Sequence, residues 1–189
     1  MKDHQRTKNL VLAAMLVAIL VILGLLPGIP LGGIIPVPLV LQNMGVMLAG
    51  GLLGGSKYGT AAVGLFLLLV FLGLPLLSGG RGGATVFLGP SGGYLIAWLF
   101  VPFLIGRLKR LFQVRAQHSW WHELLIVGVA GVIFVDVVGA LWLAWQSSIP
   151  LSTALVSNLV FIPGDLLKAI LAVVITRRIR NLMQLEVEY

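Results

Sequence analysis

Asp165 and Lys168 stand three residues apart in FIPGDLLKAIL, residues 161–171, a stretch that is otherwise almost wholly apolar. On a helix an i,i+3 pair shares one face, so these two side chains can reach each other or grip a common ligand. A charge at the centre of a membrane helix costs about 2.5–3.5 kcal/mol on insertion scales, so it turns toward a protein interior and serves as a partner or a site. The competing account of the pair is an internal ion pair that only fixes helix packing. Asp136 is the third charged residue inside an apolar run and is read as a packing residue. Gln42 and Asn43, in PVPLVLQNMGVMLAGG, offer neutral amides suited to an uncharged, hydrogen-bonding group. Their alternative use is interhelical hydrogen bonding, worth about 0.6 kcal/mol on average. Arg81 is a lone cation in SGGRGGATVFLGPSGG, residues 78–93, and is a ready partner for an anion.

The elements that position these residues follow from the solvent. The chain has 189 residues, of which 59% are hydrophobic and 10% charged, and its mean hydropathy is +1.05. A soluble domain carries about 25% charged residues, so this composition specifies an integral membrane protein. Spans of about 20 apolar residues are expected near 8–26, 37–55, 57–74, 92–108, 122–146 and 156–176. The fold class is therefore all-α, a bundle of six transmembrane helices in a single domain over residues 1–189. No period-two alternation suggests barrel strands. With both termini inside, the cytoplasmic segments collect Lys2, Arg6, Lys8, Lys57, Arg107, Lys109, Arg110, Arg115, Arg177, Arg178 and Arg180, eleven of the thirteen basic residues. That bias supports an N-in, C-in orientation and accounts for the net charge of +7 without nucleic acid. The first apolar run, LVLAAMLVAILVILGLL, exceeds a signal-peptide core of roughly 7–15 residues and lacks an A-x-A-like site, so it is expected to be retained.

Two outer segments are expected to cap a pocket. PGIPLGGIIPVP, residues 27–38, contains four prolines and three glycines and cannot form a regular helix. Residues 78–93 contain seven glycines, which allow close approach of backbone to a ligand. Pro163-Gly164 weakens the last helix just before Asp165 and opens backbone groups to a small polar ligand. Counting about 1.5 Å per residue from an outer end at Ser157 places Asp165 roughly 12 Å deep and Lys168 about 16 Å.

Catalytic chemistry finds little support. GGLLGGSK, residues 50–57, has Ser before Lys where a P-loop needs Lys before Ser or Thr, and it lies at a helix end rather than after a strand. Active transport by this chain therefore needs a partner or an ion gradient. Cysteine is absent, and His4, His118 and His122 lie in cytoplasmic segments, so no metal site and no catalytic residue is assigned. An intramembrane hydrolase is the alternative class.

IPVPLVLQNMGVMLAGGLLG, GLPLLSGGRGG, FLGPSGGYLIAW and GDLLKAIL, in this order and spacing, resemble the BioY family over nearly the whole chain. The resemblance implies a biotin-specific substrate-binding S subunit of an energy-coupling-factor transporter in the cell membrane. It implies biotin as the transported ligand, no cofactor of its own, and as partners a transmembrane coupling protein and two cytoplasmic ATPase subunits that use ATP. Ala14 and Ala18 in helix 1 are similar to the A-x-x-x-A motif through which such subunits contact the coupling protein. For biotin, Asp165 is expected to accept a ureido N–H while Lys168 or Asn43 donates to the ureido carbonyl. Tyr94 or Trp142, with aliphatic side chains, is expected to line the apolar part, Gln42 to supply a neutral amide, and Arg81 to meet the carboxylate. An S subunit for another vitamin, or a solitary carrier, is the alternative.

Overall fold

The structure, a computed structural model, describes residues 2–30, 37–54, 57–114 and 120–183. Residues 31–36 of the Pro/Gly segment at 27–38, together with Arg115 and His118, lie outside the described residues, as does the side chain of His4. Among the described residues no strand occurs, and pairing is limited to two isolated antiparallel bridges, Ile29 with Leu39 and Leu77 with Arg81.

The apolar runs form helices: α1 (Lys2–Leu25), α2 (Gln42–Leu53), α3 (Lys57–Phe71), the single turn α4 (Thr85–Leu88), α5 (Gly92–Leu111), α6 (Trp120–Gly128), α7 (Phe134–Gln146), α8 (Leu151–Asn158) and α9 (Ile162–Met183). A π-helical turn, Val129–Ile133, joins α6 to α7 without a break. By length and composition α1 and the continuous helix Trp120–Gln146 can each cross a bilayer, and α8 with α9 makes a bent third; α3 is a shorter apolar helix.

Short α2 is the hub. All its residues except Met44 are buried, and it packs against α1, α3, α5 and α9. The outer surface is greasy: Leu10, Val11 and Met15 of α1, Phe100 and Phe103 of α5, and Leu166, Leu167 and Leu171 of α9 are exposed. Exposed apolar surface on this scale needs lipid or a partner to cover it. On α9 the opposite face, Asp165, Lys168, Ala169, Ala172, Val173, Thr176 and Arg180, is buried. That helix turns its polar stripe inward and its leucines outward, the arrangement a lipid-facing helix requires.

The expected helix over 156–176 is corrected. The chain breaks between α8 and α9 and bends by 52°. Pro163 starts a helix rather than kinking one, because the first turn needs no partner for the missing N–H. Asp165 therefore sits in the first turn of α9, with its N–H donating to the Phe161 carbonyl at 2.9 Å. The depth counted along a straight helix from Ser157 does not apply, since Ser157 belongs to α8. The second helix is also shorter than expected, and Gln42 and Asn43 are its first two residues.

Candidate ligand-binding site

The start of α9, the start of α2, the start of α5 and the first turn of α7 converge on a cavity that opens to the surface. Asp165 and Lys168 lie on one wall, with Lys168 Nζ donating to Asp165 Oδ1 at 2.6 Å, both side chains being less than a tenth exposed. The spacing that suggested the pair therefore does bring it together, and the pair faces open volume rather than being walled in.

Asn43 lies beside the Asp165 carboxylate, and its Nδ2 donates to the Gly131 carbonyl of the π turn at 3.2 Å. Its Oδ1 is buried with no hydrogen-bond partner among the described residues, which leaves an acceptor free for a ligand N–H. Gln42 is different. Its Nε2 donates to the carbonyls of Leu20 at 3.1 Å and Leu76 at 2.9 Å, and its Oε1 accepts from the Ser78 N–H at 3.1 Å. Gln42 lines the cavity, but its polar atoms are spent tying α1 and the segment after α3 to α2.

That tie positions Arg81. Leu77 and Arg81 exchange backbone hydrogen bonds of 3.0 and 3.2 Å across a tight turn. Gly79 and Gly80 occupy it with φ of 80° and 68°, a conformation that side-chain-bearing residues rarely adopt. Arg81 Nε donates to the Ser78 carbonyl at 3.2 Å, and Nη1 reaches Ser91 Oγ at 3.5 Å. Burial lowers the pKa of this guanidinium from its ordinary value, and an anion bound beside it would favour the charged form.

The remaining wall is aromatic and aliphatic: Tyr94, Trp98, Phe161, Val37, Leu39 and Val135. Tyr94 packs edge-on to Phe161, with ring centroids 6.2 Å apart, and its OH donates to Asn158 Oδ1 at 2.8 Å. Asn158 Nδ2 in turn donates to the Asp136 carbonyl at 2.8 Å, so one amide joins α5, α7 and α8. The ring of Tyr94 lies against Gly139, where a Cβ would collide with it.

All six expected ligand residues, Gln42, Asn43, Arg81, Tyr94, Asp165 and Lys168, line the cavity. Trp142 does not. Its indole N–H donates to the Gly89 carbonyl at 2.9 Å, so it anchors the Gly-rich segment instead. Asp136, read from sequence as a packing residue, lines the cavity beside the pair. Its position inside an apolar run was the signal. Asn158 was overlooked, although a lone amide in LVSNLVFI carries a weaker form of that signal. Ala14 and Ala18 do not line the cavity and are exposed on α1.

A lipid-facing helical bundle around a cavity that combines buried opposite charges, free polar atoms and aromatic walls defines a multi-pass membrane protein that holds a small molecule. The chain belongs to the BioY family, whose model matches residues 1–185. It is 61% identical over 181 residues to the biotin transporter BioY of Lactococcus lactis subsp. cremoris, covering 96% of this chain and 95% of that protein. It is 40% identical to the biotin transporter BioY of Rhizobium etli, covering 92% and 93% of the two chains. Its fold matches the crystal structure of the S-component for biotin from an ECF-type ABC transporter, with a TM-score of 0.91 and 60% identity over 96% of this chain and 95% of that one.

Proposed function

We propose that this chain captures biotin as the substrate-binding subunit of an ECF-type importer. The observation that carries the reading is the buried Asp165–Lys168 pair facing a cavity that also has a cation, Arg81, among its lining residues. Biotin presents a matching set of groups: a cyclic urea with two N–H donors and a carbonyl, an apolar bicycle and chain, and a terminal carboxylate. Asp165 accepts from one N–H of the urea and Lys168 donates to its carbonyl, the Asn43 amide N–H being engaged by Gly131 instead. Tyr94, Trp98 and Phe161 cover the apolar part, and Arg81 meets the carboxylate. Gln42 contributes by holding Ser78, and through it the Arg81 turn, rather than by touching the ligand. Relatives named as biotin transporters support the choice of vitamin.

The whole chain acts as a single membrane domain. Six spans, built on α1, α2, α3, α5, α6 with α7, and α8 with α9, cross the bilayer. The basic bias places both termini in the cytoplasm and the cavity on the outer side. The chain carries no cofactor of its own; ATP is used by two cytoplasmic ATPase subunits, reached through a transmembrane coupling protein. Ala14 and Ala18, small residues on an exposed helix face, provide for close approach of that partner. Replacing both by Leu is expected to leave biotin affinity of the isolated subunit within about twofold, as for ordinary surface changes, while uptake by the assembled transporter falls severely. Loss of binding in detergent would instead make this face internal packing.

Purifying the chain from cells grown with biotin and identifying the co-purifying small molecule by mass spectrometry tests the assignment. Biotin is the expected finding. Another vitamin, bound stoichiometrically and not displaced by biotin, would reject it.

A further inference from the structure

Asp136, the third residue of α7, is 8% exposed and lines the cavity together with Asp165 and Lys168. Its Oδ2 is buried and has no hydrogen-bond partner among the described residues. Lys168 Nζ is already engaged by Asp165 Oδ1 at 2.6 Å. Two carboxylates thus share a cavity wall with one ammonium, and among the described residues Arg81 is the other charged one lining it. The Asp136 backbone is held in place because its carbonyl accepts from Asn158, which also accepts from Tyr94. A carboxylate oxygen buried without a donor is costly to keep, and a ligand N–H relieves that cost.

We propose that Asp136 is a second acceptor for the bound ring and a determinant of specificity: its Oδ2 takes one ureido N–H while Asp165 takes the other. The cavity then selects cyclic ureas with both nitrogens unsubstituted. This inference rests on reading the cavity as a biotin site.

The test titrates the full-length chain in detergent with biotin and its two mono-N-methyl derivatives, as wild type and as Asp136→Asn. Wild type is expected to bind each derivative roughly 10- to 100-fold more weakly than biotin, the usual value of a hydrogen bond to a charged group. Asp136→Asn should weaken biotin by a similar factor. It should weaken one derivative little further, because that ligand already lacks the N–H that Asp136 accepts, and the other by the full factor. Equal losses for all three ligands overturn the proposal, as does unchanged biotin affinity in Asp136→Asn. Should the variant not fold, the wild type decides: either derivative binding as tightly as biotin overturns the proposal, and weakening of both supports it. Absence of biotin binding by the wild type overturns the reading of the cavity itself and is visible in the first titration, before any variant is compared.

Discussion

Asp165→Asn is expected to lower biotin affinity by roughly 100-fold, whereas Arg81→Ala lowers it by about tenfold or less, both read by titration calorimetry on the detergent-solubilised chain. The difference follows from burial. Asp165 is a carboxylate 6% exposed, whose loss removes a charge-assisted acceptor from a dry wall. Arg81 is only half-buried, where solvent screens its contribution. The substitution also strands the Lys168 ammonium, which Asp165 holds at 2.6 Å, so the unliganded protein should lose thermal stability as well. Asp165→Asn with Lys168→Met separates the two effects, because replacing both members of a buried pair is far milder than breaking it. The double variant should recover stability without recovering binding. Recovery of both would mean that the pair only holds helices together, and equal or reversed losses for Asp165→Asn and Arg81→Ala would reject the ring-inward orientation.

Glu123→Gln is expected to cost about 3–5 kcal/mol of stability, the usual consequence of removing one member of a buried ionic group. Glu123 of α6 is 2% exposed and accepts from Arg180 Nη1 of α9 at 3.0 Å, while Lys109 Nζ of α5 lies 3.6 Å away. Arg180 also donates to the Gly51 carbonyl near the end of α2, so four helices meet at this carboxylate. The amide keeps the shape and removes the charge that two buried cations share. Arg180 is fifteen residues beyond Asp165 on α9, about 22 Å along the helix, so biotin affinity of the folded fraction should be unchanged. Thermal unfolding in detergent, followed by calorimetry on the surviving protein, measures both. An unchanged melting temperature would mean that water reaches the cluster and screens it.

What the sequence disclosed and what it concealed divide along physical lines. Charged and amide residues in apolar runs were legible because the membrane penalises them wherever they do not face protein, which is why Asp165, Lys168, Gln42 and Asn43 were found before any fold was known. That the chain is built of apolar helices was legible from hydropathy for the same reason. The break before α9 was not, since residues 159–162 are LVFI and a break that stays apolar leaves no mark in hydropathy; Pro163 was the mark, and it signals a helix start as readily as a kink. The π turn at Val129–Ile133 was hidden for a related reason, having no proline, charge or polar residue. Lys109 and Arg180 were counted among cytoplasmic charges, yet both are buried. Their partner Glu123 is 57 residues from Arg180, and only the folded bundle brings them together. Asp136 gave a visible signal that was assigned to packing, because its neighbours across the cavity come from other helices.

Whether the α9 charges grip the ring of biotin while Arg81 meets its tail is decided by the pose of the bound vitamin. A high-resolution structure of the chain with biotin bound tests it most directly. The ureido ring is expected within hydrogen-bonding distance, about 2.7–3.2 Å, of the Asp165 carboxylate, with the valeryl carboxylate directed toward Arg81. Biotin bound in the reverse sense, or outside the cavity with Asp165 and Lys168 still closed on each other, would contradict it.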